Sequence, residues 1–417
     1  MTTRTTPRIA LLGIALCMIF IPMLSGKSQA QQVDLNVAAA AKAEAAQAVR
    51  ARTTPDAPSS VGTFISFDVS GAVNGTYPSG VNPAGAITGI YNDANFIGHG
   101  FLRGGNGAMT TFDVPAGISG LITPLKINPA GDVVGTYADA NFALHGFVRD
   151  HNGRIITFDA PGGGTGGFQG TEPFAINPAG MITGVLDDAN NGSHGFLRDR
   201  SGRISIFDAP GACPSCPPVG FYAGTVAVDI GPDGTVVGTF NDANNNNHGF
   251  LRARDGAFTL FDPPGQINAF VSINFITFAA NLYINPEGVV TGAYFESISG
   301  NPLGGNYRVF VRTPDGNLST FDAANYPPCC IWSVPFGINP AGEITGEFND
   351  AGDRNHGFLR ATDSTVTTFD VPAAGTGFSQ GTVPLGITPA GVIMGLYRDP
   401  SSGVHGFVLL PQSFETD

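Results

Sequence analysis

The chain is short of charge. Asp, Glu, Lys and Arg make up 13% of its 417 residues, about half the usual ~25%. Lysine is scarcer still: beyond Lys27 and Lys42 there is only Lys126. The formal charge is −13, and such an acidic chain argues against nucleic acid or anionic lipid as a partner. Past residue 24 no apolar stretch is long enough to cross a bilayer as a helix. Helix-forming composition is confined to the Ala-rich run 37–52. Elsewhere 58 Gly and 31 Pro punctuate the chain, which implies many turns and few helices.

Residues 1–30 read as a secretory signal, with Arg4 and Arg8 at the start, an apolar run from Ile9 to Leu24, and Ser28-Gln29-Ala30 as the cleavage site. A membrane anchor is the alternative, but the run is short and contains Pro22. Cleavage would leave an exported protein, extracellular or periplasmic, with no stable membrane insertion. Residues 31–59 form an Ala-rich spacer, 60–410 the main domain and 411–417 a tail. Cys17 leaves with the signal. The remaining cysteines, Cys213, Cys216, Cys329 and Cys330, default to disulfides in an oxidising compartment. A zinc site is disfavoured because no His lies near either pair.

One phrase recurs seven times. Its turn falls at Asn82, Asn128, Asn177, Gly231, Asn285, Asn339 and Thr388, 46 to 54 residues apart. A period of that size points to a propeller or a solenoid. Each unit holds four short β segments, the number in a propeller blade. Unit 2 shows them at Leu125–Asn128, Val133–Tyr137, His145–Arg149 and Ile155–Asp159. The Asn-Pro-Ala-Gly turn has a capping side chain, a proline with preset φ and a terminal glycine. The link from His-Gly-Phe-Leu-Arg to Phe-Asp is hairpin-short, so those strands are neighbours. The link from Phe-Asp to the next turn is long and variable, as a return from outer to inner edge requires. Phe-Asp is therefore outermost, and the strand before Asn-Pro lines a central channel. The domain begins with an orphan outer strand around Phe64–Asp68 and ends without a Phe-Asp. The expected fold is all-β: a seven-bladed β-propeller of four-stranded blades, its ring closed by the N-terminal strand completing the last blade.

The repeat resembles the HAF-type bacterial extracellular repeat, as a His-Gly-Phe variant. The resemblance rests on His99, His145, His194, His248, His356 and His405, each in His-Gly-Phe, and on patterns such as Ile127-Asn-Pro-Ala-Gly-Asp-Val-Val-Gly135. Gly in place of Ala, and the terminal Phe-Asp, depart from that pattern. The resemblance implies an exported repeat protein and transfers no catalytic residue.

Recurrence itself weighs on the candidate sites. Asp93, Asp139, Asp188, Asp242, Asp350 and Asp399 each precede a repeat His by six residues. A catalytic Asp–His pair would not need six copies, and no recurrent nucleophile stands beside them. The expected role is a hydrogen bond closing the hairpin. The Asp-Ala-Asn loops offer Asp93, Asn95, Asp139, Asn141, Asp188, Asn190, Asp242 and Asn244 as calcium ligands, and calcium is the one candidate cofactor. Calcium takes six to eight oxygens, whereas each loop supplies about one carboxylate, which favours an Asx-type turn. The strand-ending arginines Arg103, Arg149, Arg198, Arg252, Arg312 and Arg360 should lie towards the opposite face and pair with hairpin carboxylates. Symmetry breaks at the channel strand, where equivalent positions read Gly80, Lys126, Ala175, Asp229, Tyr283, Gly337 and Gly386. Lys126, Asp229 and Tyr283 form either a polar ligand site or a channel plug. The long loops with Cys213, Cys216, Cys329, Cys330 and the sole Trp332 also break it. Trp332 can stack on a sugar or pack inwards. Unit 5 has Arg308 in place of the His and reads as degenerate or specialised. No residue is assigned as catalytic. The favoured reading is a non-catalytic scaffold binding a polysaccharide, surface component or protein. A lyase or hydrolase at the channel mouth is the alternative.

Overall fold

The computed structural model describes residues 61–115, 121–216, 222–263, 281–297, 305–323 and 332–412. The signal, the spacer, Cys329, Cys330 and the tail from 413 lie outside them. Among the described residues the chain forms 28 β-strands and no α-helix. They fall into seven antiparallel four-strand units, six continuous in sequence. Unit 1 begins at Thr76–Val81, unit 2 at Ile122–Ile127, unit 3 at Gly170–Ile176, unit 4 at Thr225–Ile230, unit 5 at Leu282–Ile284 and unit 6 at Ser333–Ile338. Unit 7 comprises Gly381–Ile387, Ile393–Arg398 and Val404–Pro411, and its fourth strand is Gly62–Phe67. That strand pairs antiparallel with Val404–Pro411, from Gly62 opposite Pro411 to Phe67 opposite Gly406.

The repeated residues account for this pattern. In the first turn the Asn82 side-chain oxygen accepts the N–H groups of Ala84 and Ala86, and Gly85 turns the chain at φ 72°, a conformation that favours glycine. The phenylalanines of the six His-Gly-Phe copies, Phe101, Phe147, Phe196, Phe250, Phe358 and Phe407, are fully buried, as is Phe310 of Arg308-Val309-Phe310 in unit 5. In the six copies the glycine is set by packing. A Cβ on Gly100 would lie 2.6 Å from the Phe112 ring, so Gly in this core and Phe in Phe-Asp belong to one arrangement.

Neighbouring units share a repeated seam. The Phe-Asp ring of one unit meets the buried Phe of the next edge-on, as Phe112 meets Phe147 at 6.2 Å and Phe158 meets Phe196 at 6.3 Å. The strand-ending arginine lies over the same ring, as Arg149 does over Phe112 at 5.2 Å. Unit 7 meets unit 1 in the same way, with Phe67 6.3 Å from Phe101 and Arg103 5.0 Å over Phe67. A buried hydroxyl supports each of five seams. Thr76, Thr171, Thr225, Ser333 and Thr382 accept the backbone N–H that follows the preceding Phe-Asp. On the turn side, Asn82 donates to the carbonyl of Asn128, Asn177 to Gly231, Asn285 to Asn339 and Asn339 to Thr388.

Candidate functional site

The strand register sets the symmetry-breaking position. In units 1, 2, 3, 4, 6 and 7 the pairing of first and second strands shifts just before it, as between Pro124 and Lys126. Such a bulge re-aims the following side chain. Where the position is small, neighbouring first strands crowd together: a Cβ on Gly80 would meet the Leu125 carbonyl oxygen at 2.9 Å.

Lys126, Asp229 and Tyr283 come from units 2, 4 and 5, yet they interact. The Lys126 ammonium sits 4.9 Å from the Tyr283 ring centroid. Asp229 Oδ2 accepts the Ile284 N–H at 3.1 Å, which ties the carboxylate to the strand bearing Tyr283. The Tyr283 hydroxyl lies 3.4 Å from Asn281 Oδ1. Burial pushes the Asp229 carboxyl up, while the Lys126 charge and the N–H groups of Ile284 and Ile230 draw it down. Protein atoms crowd this carboxylate, but the residue is only half-buried from solvent, so water tempers the upward push. The arrangement offers a cation, an acid and an aromatic face within one small region.

The repeat histidines have two carboxylate neighbours, not one. Each Nδ1 meets the aspartate of Phe-Asp. His99 reaches Asp113 at 2.8 Å, His145 reaches Asp159 at 2.7 Å, and His405 reaches Asp68 of the N-terminal strand at 2.9 Å. Each Nε2 faces the expected loop aspartate at greater range, from 3.3 Å at Asp350 to 3.9 Å at Asp93. The expected hydrogen bond from the loop aspartate to the His is formed at His356–Asp350 and His405–Asp399, while the closer carboxylate comes from the fourth strand. In unit 5 Arg308 takes the same place. Its Nε and Nη2 bind Asp322 at 2.9 and 3.0 Å, and its Nη1 binds Glu296 at 3.2 Å. That unit keeps a cation between two carboxylates.

The loop aspartates act in turns. Asp93 Oδ1 accepts the N–H groups of Asn95 and Ile97, and Asp139, Asp188 and Asp242 repeat this with Asn141, Asn190 and Asn244. Backbone N–H groups, that of Asn246 first, hold the Asp242 carboxyl down at about 2. Among the described residues no cluster of three or more His, Cys, Asp or Glu is arranged to hold a metal ion.

The strand-ending arginines lie over the Phe rings of the seam, Arg198 at 4.8 Å over Phe158 and Arg252 at 4.7 Å over Phe207, and the hairpin carboxylates Asp199 and Asp363 act on Arg198 and Arg360 through charge. Burial lowers the pKa of Arg103, Arg198 and Arg360. A flat guanidinium can replace lost water with a ring face. Trp332 is half-buried, 4.4 Å from the Tyr307 ring. Cys213 and Cys216 form a disulfide. Glu347 was not picked out in the sequence. It is 5% exposed and accepts a hydrogen bond from Asn355 at 2.7 Å. Burial raises its pKa against the hydrogen bonds of Asn355 and Trp332. The clue was present, since the equivalent positions are Ile90, Thr136, Val185, Thr239, Ala293 and Leu396.

No family model matches this sequence, and no curated protein matches it significantly. Solved structures do resemble it. The β-propeller domain of the Trilobed protease from Pyrococcus furiosus, described as having an open velcro topology, superposes with a TM-score of 0.50 at 8% identity, over 80% of this chain and 95% of that one. A prolyl endopeptidase superposes with a TM-score of 0.52 at 12% identity, over 93% of this chain and 56% of that one. At such identities the likeness concerns the fold alone: the chain is an all-β protein of propeller type.

Proposed function

We propose that the protein is an exported seven-bladed β-propeller that acts as a non-catalytic binding scaffold, with a polar ligand site at Lys126, Asp229 and Tyr283. The seven units support the blade count. The pairing of Gly62–Phe67 with Val404–Pro411 and a last seam built like the others support closure. Export rests on the N-terminal sequence and accords with the Cys213–Cys216 disulfide. Among the described residues no helix is long and apolar enough to cross a membrane.

One observation carries the site. At a position that is Gly or Ala in four units, the other three gather a cation against an aromatic ring and a carboxylate that feels the cation's charge. A scaffold that repeats its structural residues seven times has no structural need for three different ones. The six His–Asp groups do not favour the enzyme alternative, because they recur with every unit.

The test is a thermal-shift screen of small carboxylates, amines and neutral oligosaccharides on wild type and Lys126→Met. The reading expects at least one compound to raise the wild-type melting temperature and leave Lys126→Met unmoved. If every active compound shifts both proteins equally, the three residues are a plug.

A further inference from the structure

The turn after the second strand puts one residue in the left-handed region. It is Phe96, Phe142, Asn191, Asn245, Asp353 and Ser402 in the six units where it is described, with φ between 56 and 67°. Asn, Asp and Ser tolerate that conformation, whereas a bulky side chain strains in it. Phe96 and Phe142 also leave 37% and 43% of their surface in water. Both thus break a backbone rule and a burial rule together.

Phe142 has a partner of the same kind. Phe168, in the loop entering unit 3, is also left-handed at φ 62°. Its N–H donates to the Phe142 carbonyl at 2.7 Å, and the two rings lie 5.9 Å apart. The fold supplies its own control. Between units 6 and 7 the same clasp is made by Ser379, whose N–H donates to the Asp353 carbonyl at 2.9 Å. Both residues are again left-handed, at φ 54 and 56°. The clasp therefore forms without aromatic side chains. Phenylalanine at 142 and 168 brings strain and exposure that the backbone does not ask for, and such departures concentrate where a protein binds.

We propose that the Phe142–Phe168 pair is a stacking subsite for one sugar ring of a neutral glycan, an inference that rests on the binding-scaffold reading. A pyranose presents an apolar C–H face to an aromatic ring and hydroxyls at its edge. Exposed Asn141, next to Phe142, supplies an amide beside the rings, whereas the Gln169 amide is held by Gly166, Ala189 and Asn191 and braces the loop that carries Phe168. Asp139 precedes Phe142 by three residues, and the chain carries −13, so an anionic glycan is repelled. Two rings fall far short of the ~800 Å² a side that a stable protein interface takes. The clasp also fixes both rings before the ligand arrives, which lowers the ordering cost of binding.

The test titrates cellohexaose, xylohexaose, mannohexaose and maltohexaose calorimetrically into wild type, Lys126→Met and the Phe142→Asp/Phe168→Ser double variant. The double variant copies the natural Asp353–Ser379 clasp and should keep the wild-type melting temperature. The proposal expects one sugar to bind wild type and to bind the double variant about tenfold more weakly or not at all. Equal affinity in the double variant overturns the stacking subsite. If Lys126→Met alone then loses the sugar, the scaffold reading stands without it. Failure of wild type to bind any of the four also overturns it. So does wild-type self-association that the double variant abolishes, since a second copy would then cover the rings.

Discussion

Removing the ring of Phe67 should destabilise the protein as much as removing its internal counterpart, Phe112. Phe67 lies in the N-terminal strand, half-buried, edge-on to Phe101 at 6.3 Å and under Arg103 at 5.0 Å. Phe112 has the same two relations to Phe147 and Arg149, at 6.2 and 5.2 Å. Fully buried Phe→Ala changes cost about 3–5 kcal/mol. Half burial puts Phe67→Ala near 2–3 kcal/mol, of which the lost cation–π contact contributes roughly 0.5–1. One kcal/mol moves the melt of a 150–250-residue domain by about 2–4 °C, and less in a larger one. The expected fall is therefore roughly 3–6 °C for each variant, read by differential scanning calorimetry. If Phe67→Ala melts within about 1 °C of wild type while Phe112→Ala falls by several degrees, the N-terminal strand is a loose appendage and the ring is not closed by it.

Stability should peak in mildly acidic solution. The carboxylates hydrogen-bonded to His356, Asp370 first, raise its pKa. At His405 burial lowers the pKa, but Asp68 and Asp399 outweigh it and raise it. The stability these imidazoliums supply is present below the unfolded value of about 6.5 and is lost as pH rises through the folded value. The raised carboxyls of Asp229 and Glu347 act in the same direction at lower pH. Asp139, Asp188, Asp242 and Asp350 are lowered and oppose this, their contribution being lost as pH falls below about 4. A melting temperature that climbs from pH 6 to pH 8 would contradict this balance. Gly100→Ala should cost about 1–3 kcal/mol by overpacking against Phe112, and an unchanged denaturant midpoint would show that the ring yields freely. Millimolar calcium against EDTA should leave the melt unmoved, because the loop aspartates spend Oδ1 on backbone N–H groups. A rise of several degrees with calcium would return those loops to cation binding.

The unit plan was legible because it rests on local chemistry repeated seven times. Asn82, Pro83 and Gly85 specify a turn wherever they stand, and the hairpin-short link to Phe-Asp leaves little choice of neighbour. The partners of charged side chains were less legible. The Arg149 side chain ends over a ring contributed by the preceding unit, and Asp113 reaches His99 from fourteen residues away, so neither contact leaves a mark on local spacing. Lys126, Asp229 and Tyr283 were visible as departures from a repeat, although their meeting depends on three units coming together. Glu347 and Phe142 are departures of the same kind, but burial of the one and the left-handed backbone of the other belong to the fold and leave no local signature.

The central claim is that Lys126 and Asp229 serve a ligand and not the fold. It is met most directly by melting the Lys126→Met/Asp229→Asn double variant with and without the compound that shifts wild type. Lys126 and Asp229 are both half-buried and influence each other through charge alone, and such partly exposed charges contribute little to stability. The account predicts the wild-type melting temperature and no ligand-dependent rise. A melt several degrees lower that still rises with the compound would make the pair a structural plug and move the binding site elsewhere.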